Sequence, residues 1–280
     1  MLPPSTPTRA EADVENEELL KLLQWFTSGD HTVHATEWTY ETRRSSQAIL
    51  PFLYLGPFTT AKDVDFITKN GITMLLVIRD SRSALSGLLS GKKVAEQLGI
   101  QHAAVDVGGS AQLIQYGFPS VIRIINNHLL AKYQECAPPG PLPHGPPFEA
   151  KPPTWGKVLI FCESGNERSA AAVASYLMAM YQVDMVSAVQ YVQTQRFCIA
   201  LNDELKHLLF NFQQLLEARR GVLKTQAFDG LPAHNGKAMN TTKRNIAEVD
   251  REDYDMGGMG DSDDAARFQS RKQSAPFHDE

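Results

Sequence analysis

Cysteine is scarce, with only Cys136, Cys162 and Cys198 along 280 residues. Three cysteines build no disulfide framework, and an odd number suits a reducing compartment. A cytoplasmic or nuclear setting is therefore expected. Long apolar runs are lacking too: stretches such as residues 158–161 are far too short to span a bilayer. Pro, Ser and Thr crowd residues 1–10, where a secretory signal needs a charged and then an apolar segment. Neither such a signal nor a membrane partner is expected. An excess of positive charge is missing as well. Lys and Arg number 27 against 32 Asp and Glu, a net charge of −5, which argues against the basic face of a nucleic-acid binder. His102 stands at no metal-ligand spacing, so neither a metal nor a cofactor is expected. No internal repeat is visible.

What remains is an ordinary composition, 42% apolar and 21% charged, long enough for one large or two small domains. Residues 1–36 read as a peripheral extension, in which Leu19, Leu20, Leu22, Leu23 and Phe26 suggest a short docking helix. A domain over residues 37–220 follows. Residues 49–56 read as short strand material punctuated by Pro51 and Gly56. Residues 60–70 read as a helix stopped by Gly71, 73–78 as a buried strand and 102–105 as a weaker one. Ile114, Phe118, Val121, Ile122, Ile125 and Leu129 share one helical face over residues 113–132. Eight prolines and two glycines between Pro138 and Pro153 then exclude a helix or a central strand. Residues 135–155 are accordingly expected as an exposed insertion. A strand at 157–161 and helices near 168–181, 184–194 and 203–219 complete the domain. Strands alternating with helices predict an α/β fold around a mainly parallel central sheet flanked by helices. From residue 221 onward a disordered tail is expected, ending in the acidic, glycine-rich run at 256–264.

The chemistry concentrates in Cys162-Glu163-Ser164-Gly165-Asn166-Glu167-Arg168-Ser169, set between a buried strand and an apolar helix. Such a loop turns backbone N–H groups inward as a nest for an anion, and the helix adds its unpaired N–H groups and positive dipole end. Gly165 permits a close backbone approach that a Cβ hinders. Arg168 can fork onto two phosphate oxygens, which a lysine cannot. Cys162 is placed to attack phosphorus as a thiolate, and Ser169 to hydrogen-bond the departing sulfur. The placement between strand and helix raises this pattern above a structural cysteine beside a surface arginine.

Cys162-x-x-Gly165-x-x-Arg168-Ser169 resembles the signature of cysteine-dependent phosphatases, and Ile49-Leu50-Pro51-x-Leu53-Tyr54-Leu55-Gly56 the opening of dual-specificity phosphatase domains. Further motifs are similar to the serine/threonine/tyrosine-interacting protein family. They are Glu37-Trp38-Thr39-Tyr40-x-x-Arg43-Arg44, Leu55-Gly56-Pro57, Asn70-Gly71-Ile72-Thr73 and Tyr191-Val192-Gln193-x-x-Arg196-Phe197-Cys198-Ile199-x-x-Asn202. The resemblance covers about residues 36–220 without the proline insertion. It implies a dual-specificity phosphatase fold used as a pseudophosphatase. The partner it implies is a phosphorylated or kinase-pathway protein, bound without efficient turnover.

The chain departs from both patterns. The best-known family members have lost the loop cysteine, yet Cys162 is present; active relatives carry histidine before it, yet Phe161 stands here. Matching Phe118 and Pro119 to the family places the general acid at Gly108 or Gly109. Asp106 is the nearest carboxylate, open between a displaced acid and a structural residue ending a strand. Glu163 and Glu167 oppose a dianion if they point inward and reshape partner preference if they point outward; the myotubularin lipid phosphatases also carry an acidic residue before the loop arginine. Asn202 is carried over as a residue bracing the loop, and Cys198 reads as a packed thiol. Trp38 and Tyr40 read as a strap, and Arg43 and Arg44 as a solvated turn. Two functions stay open: a phosphoprotein-binding pseudophosphatase, and an active dual-specificity phosphatase using Cys162, Arg168 and Asp106.

Overall fold

A computed structural model describes residues 39–87, 89–109, 111–136 and 156–229. The proposed docking helix at 15–26, Trp38, residues 137–155 of the expected insertion and residues 230–280 lie outside the described residues. Five strands form one sheet: β1 (Gln47–Leu50), β2 (Leu53–Pro57), β3 (Met74–Asp80), β4 (Gln101–Val107) and β5 (Val158–Cys162). Their spatial order is β1-β2-β5-β3-β4, with β1 antiparallel to β2 and the other neighbours parallel. This is the expected mainly parallel sheet. β5 is buried at every residue, as is β3 from Met74 to Ile78. Strands covered on both faces need apolar side chains in both directions, so these runs do not alternate.

Seven α-helices are described: α1 (Val64–Asn70), α2 (Ser81–Leu85), α3 (Lys92–Leu98), α4 (Phe118–Cys136), α5 (Arg168–Tyr181), α6 (Met185–Gln195) and α7 (Asp203–Asp229). The helix expected over 60–70 is broken at Asp63, whose carboxylate accepts from the Phe66 N–H at 2.9 Å and caps α1. Gly71, at φ 66°, closes it. The helix expected over 113–132 opens as a π-turn at Leu113–Gly117 before α4 begins. α5 is buried from Ser169 to Tyr181, with the sheet on one side and α4, α6 and α7 against it. The small run Ala170-Ala171-Ala172 lets it approach closely.

Two boundaries need correction. Glu135 and Cys136 close α4 and do not open the insertion. The tail expected from residue 221 is helical to Asp229. Once a helix is nucleated each added residue gains a hydrogen bond, and no proline or glycine interrupts residues 222–229. Gly230 and Pro232 are the first stop signals.

His128 on α4 is buried and sits 2.7 Å from Thr73 Oγ1 and 2.9 Å from Gln101 Oε1, joining α4 to the entrances of β3 and β4. Burial pushes its imidazole down from 6.5 to about 4, helped by Lys132 and opposed by Glu135. The folded state therefore binds fewer protons than the unfolded state in that window. The stability linked to His128 is complete above pH 6.5 and is lost as pH falls toward 4. Thermal unfolding of the native chain should lose on the order of 2 kcal/mol between pH 7 and 4.5 from this group. His128→Gln should flatten that part of the profile; an unchanged slope assigns the acid sensitivity elsewhere.

Candidate functional site

β5 carries Cys162 to the end of the sheet, between β2 and β3. Residues 163–167 form the loop, and α5 begins at Arg168. Gly165 holds φ at 74°, and a Cβ there would lie 2.3 Å from the Gly56 carbonyl carbon and 2.6 Å from the Pro57 nitrogen. The loop thus rests directly on the backbone at the end of β2. Gly56 is equally constrained on its other side, where a Cβ would meet Ser46 Oγ at 1.7 Å. Two glycines in succession let the segment before β1, the end of β2 and the loop stack closely.

The Cys162 sulfur is buried and receives two donors, the Ser169 hydroxyl at 3.0 Å and the Gly165 N–H at 3.3 Å. Two donors converging on the sulfur suit a thiolate nucleophile or a sulfur leaving a phospho-enzyme. Glu167, at φ −115° and ψ −94°, makes no side-chain cap on α5. The first N–H groups of that helix are therefore not spent on a capping side chain. Arg168 is half-buried, Glu163, Ser164 and Glu167 are exposed, and Ser169 is buried. Ser164 Oγ accepts from the Asn166 N–H at 3.2 Å.

Beside Arg168 opens a cavity of about 140 Å³, lined by Asp80, Gly109, Glu167, Asn202 and Glu204 among others. It sets three carboxylates against one guanidinium. The Arg82 N–H holds the Asp80 carboxyl below the usual carboxylate range, and the charges of Arg82 and Arg168 add to this against desolvation. Glu167 lines the cavity; Glu163 is exposed, its backbone carbonyl accepting from the Phe58 N–H at 3.3 Å.

Asp106, the carboxylate considered as a displaced acid, is committed elsewhere. Parallel pairing puts it opposite Arg79 on β3. The guanidinium donates to Oδ1 at 2.6 Å and to Oδ2 at 3.2 Å, and also to the Leu89 carbonyl at 2.8 Å. Both carboxylate oxygens are engaged, so here Asp106 braces the β3–β4 edge. Gly108 and Gly109 supply no carboxyl in its place. Phe161 is buried in an apolar cluster with Leu75, Val77 and Leu159 and stacks on Phe58 with ring centroids 6.0 Å apart.

Asn202 does not brace the loop directly. Its side chain caps α7 by accepting from the Leu205 N–H at 2.8 Å, while the Ala200 N–H reaches the Asn166 carbonyl at 2.9 Å. The half-buried Cys198 contacts Asn166 Oδ1 at 3.4 Å. Tyr40 is exposed, with the Arg43 guanidinium over its ring. Two residues of the site escaped the functional reading of the sequence. Asp80 lay beyond the strand expected over 73–78 and was given no role. Arg196 was noticed only as part of a motif, although no acidic residue stands between Asp184 and Asp203 to pair with it. Among the described residues no group of three His, Cys, Asp or Glu side chains is placed to hold a metal ion.

Comparison with known proteins places these features among relatives. Residues 152–215 match the dual specificity phosphatase catalytic domain. The chain is 29% identical over 230 residues to the serine/threonine/tyrosine-interacting protein of Mus musculus, covering 80% of this chain and 89% of that protein. It is 31% identical over 189 residues to serine/threonine/tyrosine-interacting protein B of Xenopus laevis, covering 66% of this chain and 72% of the relative. A crystal structure of the human tyrosine phosphatase-like serine/threonine/tyrosine-interacting protein aligns at 26% identity and a TM-score of 0.45, over 61% of this chain and 97% of that one.

Asp106→Asn should weaken the Arg79 pair without touching the loop. Because the pair is partly exposed, the expected loss is about 1 kcal/mol, or about 2–4 °C in Tm. Calorimetric titration with tungstate should give a Kd within about twofold of the native chain, since no loop donor has changed. A larger loss of oxyanion affinity would place Asp106 in the site after all.

Proposed function

The chain belongs to the serine/threonine/tyrosine-interacting protein family, and on that premise we propose that it binds phosphotyrosine-, phosphoserine- or phosphothreonine-bearing proteins with weak or no turnover. The partner is a phosphorylated or kinase-pathway protein of the cytoplasm or nucleus, and the outcome is regulation of phosphorylation signalling. The observation that carries this reading is the engagement of both Asp106 oxygens by Arg79, beside a loop whose anion-binding parts remain.

Three parts serve a phosphate: the turned loop, the α5 terminus and the Arg168 fork. Turnover needs more. An alkoxide leaving from phosphoserine or phosphothreonine requires a proton, and a positioned acid contributes about 10²–10⁴-fold. With glycine at residues 108 and 109 and Asp106 held on Arg79, the positions at which the family resemblance expects the acid do not offer that proton. Phe161 packs in apolar surroundings where the active relatives' histidine would orient the loop. Asp80, Glu167 and Glu204 partly balance the Arg168 charge, so affinity for a bare anion is modest and peptide contacts supply the remainder.

One observation favours the second reading, a slow dual-specificity phosphatase. Cys162 is retained, and its sulfur is held by Ser169 and Gly165 as a nucleophile requires. Binding and turnover are separable by mutation. Arg168→Lys should weaken a phosphotyrosine peptide about tenfold or more, because a point charge replaces two directed, charge-assisted bonds. Cys162→Ser should change the same Kd by no more than about threefold, since the thiol adds little to ground-state affinity. Calorimetric titration decides this, and native affinity in the lysine variant would remove the loop from the function.

A further inference from the structure

We propose that Arg196 is the positioning residue of the phosphate loop, a buried guanidinium that grips the loop carbonyls from beneath and fastens them to residues 43–47. The inference deepens the phosphoprotein-binding reading and rests on it for its functional consequence.

Arg196 directly follows α6 and is fully buried, 0% exposed. On the loop side Nε donates to the Gly165 carbonyl at 3.2 Å, and Nη2 donates to the Ser164 carbonyl at 3.3 Å and to Asn166 Oδ1 at 2.9 Å. On the other side Nη2 donates to the Arg43 carbonyl at 3.0 Å, and Nη1 donates to the Ser45 carbonyl at 2.8 Å and to Gln47 Oε1. All of these acceptors are carbonyl or amide oxygens, none a carboxylate. Burial pulls the guanidinium below its usual range, while the charges of Cys198 and Cys162 oppose that shift.

The consequence follows from peptide planarity. In a trans peptide the carbonyl and the following N–H point in opposite directions. Drawing the Ser164 carbonyl down onto Arg196 must turn the Gly165 N–H the other way, and that N–H does donate to the Cys162 sulfur at 3.3 Å. Arg196 thereby fixes which face of the loop presents donors. Carbonyl and amide oxygens satisfy its N–H groups without cancelling its charge. A carboxylate partner would have neutralised the cation beneath a loop that has to hold a phosphate. Lysine cannot replace it, because three donors on one nitrogen do not reach both the loop and residues 43–47.

The test uses the full chain and compares native protein with Arg196→Lys, reading amide hydrogen exchange of residues 163–168, exchange of β3 and tungstate affinity. In the lysine variant the loop amides should exchange about tenfold faster or more while β3 keeps its native protection. The tungstate Kd should rise about tenfold with Arg168 untouched. Native loop exchange in a folded Arg196→Lys chain overturns the proposal. If that variant does not fold, Gln47→Leu takes its place. It removes an acceptor on β1, on the far side of Arg196 from the loop, and should still speed loop exchange about threefold; no change there overturns the proposal as well. Failure of the native chain to bind tungstate would count against the phosphoprotein-binding reading, and the exchange measurement would still decide the role of Arg196.

Discussion

The site depends on a backbone contact. At Gly165 the loop lies so close to Gly56 and Pro57 that no side chain fits between them. Everything above that contact inherits its geometry: the sulfur at the end of β5, the N–H turned toward it and the start of α5. Everything below it is fixed by Arg196, which reaches from the loop to the segment before β1. Apolar burial of β3, β5 and α5 makes the platform rigid. The glycine pair and the buried guanidinium convert that rigidity into an oriented set of donors.

Charge is divided between the cavity and the underside of the loop. One guanidinium, Arg168, faces the cavity and another, Arg196, lies under the loop, while Asp80, Glu167 and Glu204 line the rim. In the proposed reading an anion there meets fixed donors but also nearby carboxylates, which is why peptide contacts are expected to supply part of the affinity. On the proposed reading, the acid is absent from its expected position for a topological reason. Parallel pairing sets Asp106 against Arg79, and of the residues that follow it Val107 and Gly109 line the cavity, neither carrying a carboxyl.

Much of this was legible in the residues. The apolar runs within the strands expected over 73–78 and 157–161 announced strands buried on both faces, and Gly165 announced a close approach. The loop was readable because strand, anion nest and helix are contiguous in sequence. Contacts between distant segments were not. Asp106 could be an acid or a brace until its register with Arg79 was known, and Arg196 meets its acceptors at residues 43–47 across about 150 residues of chain. The short helices α2 and α3 were missed because they bury too little to leave a period: none of α2 is buried, and of α3 only Ala95. The end of α7 was misjudged because polar residues 224–226 extend a helix as readily as they would a loose tail.

The central claim is that the loop holds phosphate without the means to release the leaving group. The direct measurement is inorganic phosphate released, over long incubation, from a phosphotyrosine peptide that the native chain binds. A Cβ at Gly108 would make only ordinary contacts, 3.4 Å to Gln112 Oε1 and 3.6 Å to Ser81 Oγ, so an aspartate can be placed there, with Gly109→Asp as the neighbouring register. The account predicts slow release by the native chain, a rise of about fivefold or more in one of the two aspartate variants, and its disappearance on adding Cys162→Ser. Rapid release by the native chain that Asp106→Asn abolishes would contradict it.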